Sequence, residues 1–484
     1  MKKIISFILI VSIIIFSFVP AFAESDSSYY PDECLTYPVV LVRGMDFGGL
    51  TVNYGSEDAS PAINADVTEI IKALLKAIGK GLFTFSFDNA MNEILDCAYE
   101  IFKNMSMYKN GDSMYNVGLP KYPKSADNYE ELCAGEWGEF GMVRTCIEKL
   151  PDGHTYYLNY DWRLDPFVIS DEINELVNTA MKETGHDKVN LVCCSMGGLM
   201  TMAYLTEYGY ENINRCLFMS STFCGAQVAS DLLCGKLEIT SDNLYKFILK
   251  LVSDKPVLDF LINGLNKLGL FDVLTMLTDF IIENYKSDIY DKVLTPVFCY
   301  MLPLWGLVQP EDYDDAKNYI FSDDKDVSGF ISKTDKLQAM MNNRTNLIDE
   351  MIENGVEIAV VAHYDAPLAP VYENADFNGD GTLETYQMSG YATVAKYGET
   401  LGDDYIPENP DLVSPDKVVD LSTALFPEYT YIIKGATHVG GNYGSEYADF
   451  LIWLLTYDGE FYAGASERYP QFMVSDAELT LSEF

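Results

Sequence analysis

Residues 188–200, KVNLVCCSMGGLM, join a short apolar run to a serine set among small residues. Val189, Leu191 and Val192 read as a buried strand, and the residues after Ser195 read as an apolar helix. A chain that turns sharply from strand to helix lifts the residue at the turn clear of the sheet. Its side chain then sits near a helix N-terminus, where negative charge is stabilised. The turn is crowded, so the positions two before and two after a nucleophile there must be small. Around Ser195 they are Cys193 and Gly197, with cysteine standing where glycine is the commoner choice. Cys194 is the rival nucleophile, since a thiolate can serve in such a turn. Its framing residues would be Val192 and Met196, both bulky, so Ser195 is the expected nucleophile. The competing reading is a glycine-rich helix start without chemistry.

A serine hydroxyl needs a base, and histidine is the usual one. The chain has 4 histidines. His154 and His186 precede the nucleophile, His363 follows a strand expected at 356–362, and His438 follows the last expected strand, in YTYIIKGATHVGG. Small residues around His438 let its ring reach the C-terminal edge of a parallel sheet, where such folds bind ligands. His438 is therefore the expected base. A carboxylate must orient it, and two stand out. Asp416, in SPDKVVDLSTALFP, has the chain position of an acid loop leading into the final strand; Asp380, in DFNGDGTLE, lies farther back. Spacing favours Asp416, with Asp380 second and Asp420 third. A tetrahedral oxyanion needs two backbone N–H donors. Met196, directly after the nucleophile, offers the first, and Met45, in the loop after the Val39–Val42 strand, the second.

The elements that must position these groups alternate along the chain. Strands are expected at 38–42, 154–160, 188–193 and 216–221, with helices at 64–104, 169–184 and from the nucleophile to Tyr208. That alternation implies a mainly parallel sheet with helices on both faces. From about residue 225 to 350 the pattern turns helical and strongly apolar, as in LYKFILKLV and VLDFLINGLNKLGLFDVLTMLTDFII. These helices read either as a cap with its own core or as walls of a pocket for an acyl chain. Strands resume at 356–362 and 429–434.

Composition sets the setting. The 484 residues carry 73 acidic and 32 basic side chains, a net charge of −41. Such a surface repels nucleic acid and anionic membranes. Hydrophobic content of 48% allows a large core and argues against global disorder. Lys2 and Lys3, an apolar run through Phe18 and Pro20-Ala-Phe-Ala23 read as a secretory signal cleaved after Ala23. An uncleaved anchor is the alternative, and no later segment reads as a span, so a secreted protein is expected. The 10 cysteines show no metal-ligand spacing; Cys34, Cys133 and Cys146 are the disulfide candidates. Asp376, Asn378, Asp380 and Glu384 alternate as oxygen donors around Gly381, like half of a calcium loop, although position 12 is Gln387. Calcium and an ion-free acidic turn are both open readings, and the expected chemistry requires no cofactor.

The chain resembles the α/β-hydrolase superfamily, in particular its lecithin:cholesterol acyltransferase and lipase-like branch. The resemblance rests on PVVLVRG (38–44), YDWRLDP (160–166), CSMGG (194–198), PLWGLVQP (303–310) and the final strand ending at His438. YDWR is the most branch-specific of these. Position 43 is Arg where such hydrolases often carry His or Pro. The resemblance implies an α/β-hydrolase fold, with residues 24–224 and 351–484 as core and 225–350 as a helical cap. It also implies a Ser-His-Asp triad, a covalent acyl-enzyme and ester substrates, often lipids. In that branch the acid sits in a Gly-Asp-Gly-Thr-Val stretch, which points to Asp380; the shorter spacing of other lipases points to Asp416, and the spacing argument is kept. The expected protein is a secreted serine acyl hydrolase: an esterase, lipase or phospholipase, or an acyltransferase if an alcohol replaces water. A secreted binding protein on a weakened hydrolase scaffold is the alternative, and an amidase or peptidase a further rival.

Overall fold

Eight strands build the central sheet of the computed structural model, which describes residues 36–46, 49–63, 87–133, 141–236, 245, 267, 270–322, 325–368, 377–438, 445–476 and 480–484. The expected signal at 1–23, Cys34, Asp376 and most of the expected helix before residue 87 lie outside these residues. The strands are β1 (Val39–Val42), β2 (Thr155–Leu158), β3 (Val189–Ser195), β4 (Ile213–Ser221), β5 (Glu357–Tyr364), β6 (Thr430–Lys434), β7 (Phe472–Ser475) and β8 (Leu481–Glu483). They lie in the order β8-β7-β6-β5-β4-β3-β1-β2. Every neighbouring pair is parallel except β7 with β8. This is a mainly parallel eight-stranded sheet flanked by helices, an α/β fold.

Parallel neighbours need crossovers, and helices supply them, so both faces of the sheet are covered and its strands read as continuous apolar runs. Successive residues point to opposite faces. Val40, Val42, Leu191, Cys193 and Val360 join one core cluster, and Val39, Leu41, Val192, Ala359 and Val361 the other. Helix α1 (Pro166–Thr184) covers the first face through Ile169, Ile173 and Val177. Its start follows from Asp165-Pro166. The Asp165 carboxylate accepts from the Phe167 N–H, and proline needs no partner in the first turn. Gly185, at φ 78°, ends it in the left-handed conformation that glycine tolerates best. Helix α2 (Gly197–Tyr208) follows β3 and packs beside α1.

Between β4 and β5 the chain leaves the sheet for an inserted helical cap. It contains α3 (Gln227–Leu233), helix Leu270–Ile289, a π-helical stretch Tyr290–Cys299, α4 (Leu302–Leu307), helix Tyr313–Phe321, α5 (Ser328–Asn342) and helix Arg344–Glu353. The PLWGLVQP motif is the cap's anchor. Trp305 is fully buried and stacks on Phe321, with ring centroids 4.9 Å apart. Gly306 lies so close to α2 that a Cβ there would come within 2.8 Å of Leu199 Cδ1. Gln338 of α5 donates to the carbonyls of Trp305 and Val308 at 2.7 and 2.9 Å, and Gln309 donates to the carbonyl of Cys224 at 3.1 Å. The apolar stretch at 257–269, open to both the cap-core and the acyl-pocket reading, lies outside the described residues apart from 267.

After β5 the chain makes a short two-stranded excursion, Ala366–Pro367 against Asn378–Gly379, and enters α6 (Thr385–Met388). Helix α7 (Ser445–Thr456) covers the second face through Tyr447, Phe450 and Leu454. The nine described cysteines are free thiols. Of the disulfide candidates, Cys34 lies outside the described residues, Cys146 faces the second core cluster, and Cys133 is exposed beside the carbonyl of Asp127, so Cys133 and Cys146 do not bond to each other. No described helix is long and apolar enough to cross a membrane.

Candidate active site

β3 ends on Ser195, whose backbone has φ 50°. A non-glycine residue in that left-handed region costs about 1–3 kcal/mol and persists only where its surroundings hold it. Three contacts hold it here. The Ser195 carbonyl accepts from the Thr222 N–H at 2.9 Å and from the Thr222 hydroxyl at 3.1 Å. Gly197 packs on β1, where a Cβ would fall 2.4 Å from the Val42 carbonyl oxygen. Gly44 packs on the serine itself, where a Cβ would fall 2.4 Å from Ser195 Cβ. The small residue expected two positions after Ser195 is thus required by β1. Two positions before it, Cys193 is accommodated between β3 and β4, its thiol 3.5 Å from the Leu217 carbonyl. Cys194, the rival nucleophile, turns its sulfur toward the Val42 carbonyl at 4.0 Å.

His438 lies just past β6, and its Nε2 is 3.0 Å from Ser195 Oγ. Its Nδ1 is 2.6 Å from Asp380 Oδ2. Asp380 is the carboxylate that the structure brings to this histidine; Asp416, favoured by spacing, is elsewhere. Asp416 accepts from Tyr364 Oη at 2.8 Å, Lys434 Nζ at 2.9 Å and Ser414 Oγ at 2.7 Å, an ion pair that ties the end of β6 to the end of β5. Asp420 caps Ser422 and accepts from Tyr405 Oη. Spacing failed because the excursion after β5 folds back on the sheet edge. There Asp380 also accepts the His438 N–H on its backbone carbonyl at 2.8 Å.

Asp380 is fully buried. Burial alone would raise its carboxyl. The His438 imidazole beside it, the hydrogen bond from that ring, the nearby His363 ring and the Leu383 N–H outweigh burial and hold it below the usual carboxylate range. Its Oδ1 accepts from the N–H groups of Thr382 and Leu383 at 2.9 and 2.8 Å, and its Oδ2 also accepts from Ser220 Oγ at 2.7 Å.

The same contacts argue against the calcium reading. Both oxygens of Asp380 are taken by N–H and O–H donors. Asn378 Oδ1 accepts from the Asp365 N–H at 2.7 Å, and Glu384 Oε2 from the Gln227 N–H at 3.3 Å. Among the described residues no cluster of acidic, histidine and cysteine side chains is arranged to hold a metal ion.

Met196 caps α2 directly after the serine, and Met45 follows Gly44 in the loop that touches it. The YDWR motif clamps this loop. Tyr160 Oη donates to the Arg43 carbonyl at 2.8 Å, Trp162 Nε1 donates to the Asp46 carbonyl at 2.8 Å, and Arg43 returns a bond from Nη2 to the Tyr160 carbonyl at 2.8 Å. Arg163 and Asp161 pair beneath at 2.6 Å. Arg43 therefore fills a structural post behind the loop, and its backbone is the side that faces the site.

The remaining histidines separate clearly. His154 and His186 lie together where β2 and β3 begin, ring centroids 5.5 Å apart, at the end of the sheet away from Ser195. His363 is inside β5, fully buried, and burial lowers it to about 4. Sequence reasoning noted His363 only as one of four histidines and missed Ser220 and Tyr447 as neighbours of the site. Of these two, Ser220 carried a signal, as a hydroxyl near the end of the strand next to the nucleophile strand.

No protein-family model matches the chain, and no curated protein matches it. Among solved structures it is similar to one described as the crystal structure of the Tle4–Tli4 complex, at 12% sequence identity and a TM-score of 0.30, over 74% of this chain and 89% of that one. A likeness that slight leaves the functional argument to the site itself.

Proposed function

We propose that the protein is a secreted serine hydrolase of carboxylic esters that works through an acyl-enzyme. One observation carries the reading: a serine strained to φ 50° at a strand–helix turn, with a histidine nitrogen 3.0 Å from its hydroxyl. Ser195 Oγ attacks the ester carbonyl carbon as its proton passes to His438 Nε2. Asp380 orients the ring and stabilises the imidazolium. The carbonyl oxygen becomes an oxyanion and accepts from the Met45 and Met196 N–H groups, each such donor contributing about 10²–10³ in rate. His438 then protonates the departing alkoxide, leaving the acyl group on Ser195. Water attacks that ester, gives its proton to His438, and the carboxylic acid leaves as Ser195 recovers the proton. An alcohol in place of water would make the same step an acyl transfer.

The apolar cap supports lipid esters as substrates, and the net charge of −41 supports neutral over anionic ones. Export through the signal at 1–23 belongs to the same proposal, with a mature chain beginning at Glu24 when its mass is measured. The test of the chemistry is turnover of p-nitrophenyl esters of increasing acyl length. Ser195→Ala should lower kcat by on the order of 10⁵ or more and abolish labelling by a fluorophosphonate. Absence of both turnover and labelling in the unaltered protein would sink the proposal and favour a binding protein on this scaffold.

A further inference from the structure

Behind Asp380 the hydrogen bonds do not stop. Ser220 is the last residue but one of β4, beside the nucleophile strand, and is itself left-handed, at φ 46°. Its hydroxyl lies 2.7 Å from Asp380 Oδ2 and 3.3 Å from His363 Nδ1, and His363 Nε2 lies 2.7 Å from Tyr447 Oη. Ser220, His363 and Tyr447 are all buried to within 1% of full enclosure.

The proton positions follow by elimination. Ser220 has one proton, and the short bond to a carboxylate is the stronger claim on it. Its oxygen is then an acceptor toward His363, so Nδ1 of His363 carries the ring proton. A neutral imidazole has one N–H, which leaves Nε2 bare to accept from Tyr447. Burial keeps His363 neutral, and the Thr437 backbone next to His438 also accepts at this ring. The bonds thus run one way: Tyr447 to His363 to Ser220 to Asp380.

We infer that Tyr447, His363 and Ser220 are positioning residues that set the orientation and charge of Asp380 toward His438. The inference rests on the serine hydrolase reading. Ser220 and His438 donate to the same oxygen, Oδ2. The Ser220 proton withdraws charge from that oxygen, which tempers how strongly the carboxylate stabilises the His438 imidazolium. The left-handed turn at Ser220 is what aims its hydroxyl inward, the arrangement in which a strained backbone serves a site. Other titratable groups facing this line are Cys194 of β3, beside Tyr447, and Glu384 before α6, beside Asp380.

Two variants test it in the full chain. Ser220→Gly removes the hydroxyl and tolerates φ 46°, so the fold is kept. Tyr447→Phe removes only the far end, letting the His363 proton move to Nε2 and drawing the Ser220 proton off Asp380. Ser220→Gly should lower kcat for p-nitrophenyl esters about tenfold with KM unchanged, and raise the pH of the acid limb of kcat/KM by about half a unit to one unit, the effect of losing one charge-assisted bond. Tyr447→Phe should move the limb the same way by less. The downfield proton resonance of His438 Nδ1–H, followed through pH, should titrate later in both variants and does not depend on turnover. If the unaltered protein is inactive yet the resonance still shifts, the hydrolase reading fails and the positioning line stands. If turnover is normal and neither the limb nor the resonance moves in Ser220→Gly, the positioning line is wrong.

Discussion

Asp380 and Asp416 lie on the same stretch of chain before His438, and both are held below the usual carboxylate range, yet they do different work. Burial opposes ionisation at each, and donors overcome it. At Asp416 the donors are Lys434, Ser414 and Tyr364, so its charge is matched by a cation and its result is a tied pair of strands. At Asp380 they are two loop N–H groups, a serine hydroxyl and an imidazole, with no lysine or arginine among these partners. A carboxylate matched by a cation has no charge to lend. One held by neutral donors keeps its charge for the ring in front of it. What a carboxylate does here is set by the charge of its donors and the strand end it meets, and not by its distance along the chain.

That contrast can be broken or sharpened by measurement. The largest effect is expected at the site. Asp380→Asn should cost on the order of 10⁴ in kcat, as loss of the carboxylate behind a catalytic histidine does, while Asp416→Asn should stay within about threefold and appear as a loss of stability of about 1–2 kcal/mol. A reversed order of the two activities would overturn the assignment.

Glu384 supplies a third case and a smaller effect. It is buried with Oε1 unpartnered among the described residues, and burial, with Asp231 and Asp380 nearby, raises it to about 8. A raised carboxyl favours the protonated fold. Its contribution is full below the unfolded value near 4.5 and is lost as pH rises to about 8, with a slope of at most about 1.4 kcal/mol per pH unit. Glu384→Gln should therefore flatten the fall in Tm between mildly acid and alkaline buffer and exceed the parent protein at the alkaline end. A variant with the unchanged slope would show that Glu384 finds a partner in solution.

Much of this was legible beforehand, for identifiable reasons. The strands showed as short apolar runs because a parallel sheet buries both faces. Ser195 showed because its turn demands small residues two before and two after it, here Cys193 and Gly197. His438 showed because it follows the strand at 430–434, which sequence took for the last one, although β7 and β8 come after it. The acid was misread because a chain with 73 acidic side chains offers many spacings, and only the excursion at 366–379 reveals which carboxylate returns to the edge. Tyr447 was invisible inside an apolar helix, and His363, noted only as one of four histidines, gave no hint of it, since their meeting is purely three-dimensional. YDWR and PLWGLVQP were legible only as marks of a resemblance; in the structure the first clamps the loop at 43–46 and the second tethers the helices inserted between β4 and β5.

Adjacent strands β3 and β4 each carry, at or next to their last residue, a serine in a conformation that serine resists: Ser195 and Ser220. Glycine at either place would relax the backbone and make a sturdier protein, at the cost of the proposed nucleophile at 195 and of one hydrogen bond to Asp380 at 220. The pair therefore works as a gauge of use. Variants selected for heat resistance alone should drift toward glycine at 195 and 220, while those selected for turnover should keep both hydroxyls and tolerate the strain.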